Sequence, residues 1–139
     1  MDQRLRTSLR GRSVMVVEDE FFQAEELSRA LSGAGARLVG PFPTVESALA
    51  GLDGGARIDA AVLDVNLRGV AVAPLVEALS TRGIPFLFAT GYDRAALPAA
   101  WGEAPVFEKP LNLGRLVKAV GALPPCADGL GPAMRAPVA

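Results

Sequence analysis

Residues 13–20 read SVMVVEDE. An apolar run ends abruptly in three consecutive carboxylates, Glu18, Asp19 and Glu20. An apolar run without polar alternation marks a strand covered on both faces, the habit of a parallel sheet. The pattern returns along the chain. Residues 59–65, DAAVLDV, are apolar between Asp59 and Asp64. Residues 84–89, IPFLFA, run into Thr90-Gly91, and residues 105–107, PVF, run into Glu108-Lys109-Pro110. Residues 37–40, RLVG, make a shorter second strand before Pro41 and Pro43.

Helical patterns separate these strands. Over 21–31 the spacing puts Phe21, Ala24, Leu27 and Leu31 on one buried face, and Gly33 and Gly35 stop the helix. Thr44, with Ser47 at N3, caps a helix carrying Val45, Ala48, Leu49 and Leu52. Residues 70–79, VAVAPLVEAL, form a third helix weakened by Pro74. Residues 93–100 are expected to hold a short or irregular fourth helix, because Pro98 and Gly102 interrupt it. Leu113, Leu116, Val117 and Val120 mark the last helix, with Asn112 as its N-cap.

Alternating strands and helices predict an α/β fold: a doubly wound five-stranded parallel sheet, order 2-1-3-4-5, with helices on both faces. The expected organisation is a flexible N-terminal arm over 1–12, one domain over 13–123 and a disordered tail, rich in Pro, Gly and Ala, over 124–139. At 139 residues there is room for one domain. A net charge of -1 argues against nucleic acid or an anionic membrane as partner. The single cysteine excludes an internal disulfide and a multi-cysteine zinc site. The absence of histidine excludes Ser-His-Asp and Cys-His catalysis and any phosphohistidine on this chain. No secretory signal or membrane-spanning run is visible, so the expected location is the cytoplasm.

In doubly wound sheets ligands bind at the carboxyl ends of the strands. The unusual polar residues fall there: Glu18 and Asp19 after strand one, Asp64 at the end of strand three, Thr90 at strand four, Lys109 after strand five. With strands one and three adjacent, three carboxylates crowd one edge, and their repulsion calls for positive charge. A hard divalent cation with oxygen ligands, Mg2+, is the natural candidate, with Lys109 supplying more. Each residue has a plainer reading. The acidic trio suits a solvated turn at a helix start. Asp64 could be structurally paired, Thr90 a turn residue and Lys109 a surface lysine. Their joint placement at one edge is the more specific signal.

VMVVEDE (14–20), VLDVNLRG (62–69), ATG (89–91) and EKP (108–110) occur in the order found in two-component response regulator receiver domains, the CheY-like family, which this chain resembles over residues 13–123. The resemblance implies that Asp64 accepts a phosphoryl group. It implies that Glu18, Asp19, Asp64 and the main-chain carbonyl of Asn66 hold Mg2+, that Thr90 hydrogen-bonds the phosphoryl group, and that Lys109 pairs with it. The donor would be a histidine kinase or phosphotransfer protein. PFLFATGYD (85–93) is similar to the signature of the FAT GUY receivers, often stand-alone and linked to general stress signalling. Too few residues follow Leu123 for an output domain, so signalling is expected through a downstream protein partner. Tyr92 and Trp101 are candidate anchors for it, or else core residues.

Two positions depart from the family pattern. Val106 stands where ordinary receivers carry an aromatic switch residue, and strand alternation points Phe107 to the other face. Glu18 stands where Asp is commoner. The readings from other classes are a receiver-fold binding module that works without phosphorylation and an aspartate-nucleophile phosphatase. The phosphatase is disfavoured because Asn66 replaces the second Asp such enzymes need.

Overall fold

The first strand, β1 (Ser13–Val17), is buried along its whole length because helices cover both its faces. The computed structural model describes residues 8–67, 70–91, 101 and 104–126. In these, β1 is followed by α1 (Phe21–Gly33), β2 (Arg37–Phe42), α2 (Val45–Asp53) and β3 (Ala60–Leu63). An antiparallel ribbon of Asn66–Leu67 and Val70–Ala71 leads to α3 (Ala73–Thr81), β4 (Phe86–Thr90), β5 (Val106–Glu108) and α4 (Leu113–Ala122). The five main strands pair in parallel in the order β2-β1-β3-β4-β5, the expected 2-1-3-4-5.

Strand alternation divides the core in two. Met15, Val17, Ala61, Leu63 and Phe88 face α2 and α3. Val14, Val16, Ala60, Val62, Leu87 and Ala89 face α1 and α4. Each fully buried Val or Leu contributes about 1.5–3 kcal/mol by leaving water. Two caps stand where the sequence places them. Thr44 and Ser47 form a reciprocal capping box at α2, and Asn112 accepts from the Arg115 N–H at α4.

Several expectations need correction. The third helix begins at Ala73, not at 70, because Val70–Ala71 pair with Asn66–Leu67. Pro74 then sits in the first turn, where its missing N–H costs nothing. Phe21 does not join the buried face of α1: it is 70% exposed, edge-on to an equally exposed Phe22. The first turn of α1 lies beyond the end of β1, so only Ala24, Leu27 and Leu31 reach the sheet. The arm expected to be flexible over 1–12 is packed over its last residues: Leu9 is fully buried and its N–H donates to the Ala34 carbonyl. Likewise Cys126, in the expected tail, is buried on the α2–α3 face. The expected fourth helix over 93–100, and Tyr92, lie outside the described residues.

Candidate functional site

The parallel ladder runs one hydrogen bond past the strands and fixes the backbone of three site residues. The Glu18 N–H donates to Phe42 O on β2 (3.0 Å), the Asp64 N–H to Val17 O on β1 (2.9 Å), and the Lys109 N–H to Thr90 O on β4 (2.9 Å). Glu18, Asp64 and Lys109 therefore leave the same sheet edge with their main chains held. Glu20 closes the turn as N-cap of α1, its carboxylate accepting from the Phe22 and Gln23 N–H groups. That side chain serves the helix. Thr90 ends β4, fully buried, in register with Glu108. Asn66 enters the ribbon just after Asp64.

The side chains converge. Glu18, Asp19 and Asp64 each place a carboxylate oxygen within 4.8 Å of the others. Glu18 is only 4% exposed, Asp64 is buried and Asp19 half-buried. The Lys109 ammonium donates to Glu18 Oε1 at 2.6 Å and to Asp64 Oδ2 at 3.2 Å. The Glu20 N–H donates to Glu18 Oε2 at 3.1 Å. Burial pushes the Glu18 carboxyl above its ordinary range; the bonds from Lys109 and Glu20 oppose this, and the Asp64 charge adds to it. Burial works against the Lys109 ammonium, but the hydrogen bond to Glu18 and the charges of Asp64 and Glu18 outweigh it and raise its pKa. Carboxylates this close are hard oxygen donors fit for a hard divalent cation, and their mutual repulsion is relieved by one.

The sequence groups Glu18, Asp19, Asp64 and Lys109 correctly at one edge, but does not foresee that Lys109 makes its shorter contact with Glu18. Nor does it single out Gln23. This residue lines a cavity of about 430 Å3 with Glu26, Lys109, Pro110, Leu111 and Leu113, and its buried Oε1 has no hydrogen-bond partner among the described residues. Nothing in the local pattern marks Gln23, an ordinary residue of a helix's first turn. Val106 packs on the Phe88 face and Phe107 on the opposite one, as alternation requires. Trp101 stacks on Phe88, ring centroids 5.3 Å apart. That contact makes it a packing residue of the α2–α3 face.

Comparison with solved structures places this architecture. SdrG from Sphingomonas melonis Fr1 is 40% identical and superposes with a TM-score of 0.69, over 81% of this chain and 93% of that one. A BeF3-activated conformation of SdrG, from Pseudomonas melonis Fr1, is 41% identical, with a TM-score of 0.66 over 77% and 91%. The response regulator PhyR from Brucella abortus is 25% identical, with a TM-score of 0.68 over 83% of this chain; the match spans about half, 48%, of PhyR. No protein-family model matches the chain, and neither does a curated protein. Fold, edge chemistry and the SdrG match agree: the chain belongs to the receiver domains of response regulators.

Proposed function

We propose that this receiver accepts a phosphoryl group on Asp64 from a histidine kinase or phosphotransfer protein and signals through contacts with a downstream protein. The observation that carries the reading is the Lys109 ammonium, drawn onto the Asp64 carboxylate at the strand ends, with Asp19 and Glu18 beside it. Asp19, Asp64, Glu18 and the Asn66 main-chain carbonyl are the groups offered to Mg2+. When bound, Mg2+ supplies positive charge to offset that of the phosphoryl oxygens. The donor set fits it, being oxygen only.

In the reaction an Asp64 carboxylate oxygen attacks phosphorus. The new O–P bond forms as the N–P bond of the donor phosphohistidine breaks, and the electron pair returns to the imidazole nitrogen. The transferring group spreads negative charge over its equatorial oxygens, which the Lys109 ammonium is placed to meet. Thr90 offers its hydroxyl from the end of β4. Later, water attacks the acyl phosphate, releasing inorganic phosphate and restoring the Asp64 carboxylate. The FAT GUY-like stretch 85–93 supports a stand-alone receiver in general stress signalling. Among the described residues no helix is long and apolar enough to cross a membrane, which is compatible with the cytoplasmic place this role requires.

The test is intact mass after incubation with acetyl phosphate and Mg2+. One added phosphoryl group is expected on the wild type and none on Asp64→Asn or with the metal chelated. No gain from acetyl phosphate or from phosphorylated histidine kinases would overturn the reading in favour of a phosphorylation-independent binding module.

A further inference from the structure

A lysine side chain is a flexible four-carbon stem bearing a strongly hydrated charge. Something must hold that charge if it is to stand over Asp64 before any phosphoryl group arrives. Asp64 Oδ2 lies 3.2 Å from the ammonium, the longer of its two contacts. Glu18 Oε1 lies at 2.6 Å, on a side chain that is 3% exposed. Glu18 is itself fixed twice. Its backbone N–H is tied to Phe42 O, and its second carboxylate oxygen accepts the Glu20 N–H at 3.1 Å. Both oxygens of Glu18 are therefore engaged within the protein. An Asp at this position would be one methylene shorter, so its carboxylate would start further from the Lys109 ammonium.

We propose that Glu18 is the positioning residue for Lys109: its carboxylate, braced by the Glu20 N–H, anchors the ammonium against Asp64. The extra methylene of Glu at this position gives the reach. This rests on the reading of Asp64 as acceptor for its purpose, but not for its test.

Lys109 and Lys118 are the only lysines in the chain, and Lys118 is exposed, so a side-chain ammonium signal that persists is assigned to Lys109. The full chain is labelled with 15N-lysine, freed of metal by a chelator, and its ζ-ammonium protons are observed by NMR. Wild type is expected to give a persistent Lys109 ammonium signal, with Lys118 exchanging too fast to see. Glu18→Asp, which keeps the charge and loses the reach, should speed Lys109 proton exchange about tenfold or more, as loss of a charge-assisted hydrogen bond does. Glu18→Gln, which keeps the shape and a neutral acceptor, should fall between. Native dispersion of the backbone amide signals verifies folding of both variants. The proposal is overturned if Glu18→Asp exchanges like the wild type, or if Asp64→Asn speeds exchange more than Glu18→Asp does. No phosphodonor or metal takes part. Failure here leaves the acceptor role of Asp64 standing, and failure of that role leaves this result standing.

Discussion

A carboxylate 4% exposed, facing a second carboxylate, is an unfavourable place for a negative charge, and Glu18 sits in one. Its pKa in the folded chain lies above the ordinary 4.5, first because of burial. The sign follows. A group raised on folding contributes stability that is fully present below its unfolded pKa and lost as the pH climbs through the folded one. In the presence of a chelator, Glu18→Gln should match the wild type in urea midpoint below about 4.5 and become the more resistant protein by neutral pH. A gap that does not change with pH would mean that folded Glu18 titrates normally. The charge at Glu18 thus costs stability at neutral pH, and anchoring Lys109 is what it returns. The residues of this site were legible because each interrupts or ends an apolar run: Asp64 after AAVL, Thr90 after FLFA, the acidic trio after VMVV. Which carboxylate meets Lys109 was not legible. It depends on side-chain reach across the intervening strands, and sequence spacing does not encode that.

Elements set where those side chains begin. In β2 the register with β1 slips: Met15 pairs with Val39, but Val17 pairs with Phe42. The extra residue is a bulge at Gly40-Pro41 on an edge strand, where a proline without an N–H is tolerated. By sequence alone this strand ends at Gly40, because glycine and proline together read as punctuation. The bulge instead carries it on to Phe42, whose carbonyl accepts the Glu18 N–H. Gly40 has φ +101°, and a Cβ there would lie 2.8 Å from the Phe42 N and 2.9 Å from the Val16 O. Both neighbours are backbone and cannot step aside. Gly40→Ala should therefore cost roughly 2–4 kcal/mol, combining left-handed strain with overpacking. Gly33→Ala, at the end of α1 with open space around it, should leave the chemical-denaturation midpoint unchanged or slightly raised. Equal losses in the two variants would remove the bulge from the account. Pro74 is ambiguous in sequence for a related reason: a proline inside a helical pattern weakens it, whereas one in the first turn starts it, and periodicity alone does not tell these apart.

At the scale of the whole molecule, the fold is closed at the pole opposite the site by residues that sequence reading assigned to a solvated arm. A single leucine among arginines has no periodicity to reveal it. Yet Leu9 is fully buried, its N–H donates to Ala34 O at the end of α1, and its carbonyl accepts the Arg12 N–H. Arg12 in turn donates to the carbonyls of Val120 and Gly121, at 3.3 and 3.1 Å. Those lie in the last turn of α4, where a cation is favoured, and the Val120 carbonyl also accepts the Leu123 N–H. The turn ahead of β1 thus joins α1 to α4 beneath one face of the sheet. Leu9→Ala should lose roughly 2–5 kcal/mol, the cost of deleting a buried leucine. Arg10→Ala, an exposed neighbour in the same turn, should stay within about 0.5 kcal/mol of wild type. Chemical denaturation separates the two, and a neutral Leu9→Ala would return the segment to a frayed arm. Because this turn leads into the first residue of β1 while Asp64 follows the last residue of β3, Leu9→Ala held well below its own midpoint should still gain one phosphoryl group from acetyl phosphate. Lost stability with intact labelling would show that the closing pole and the reacting edge are separate parts of one sheet.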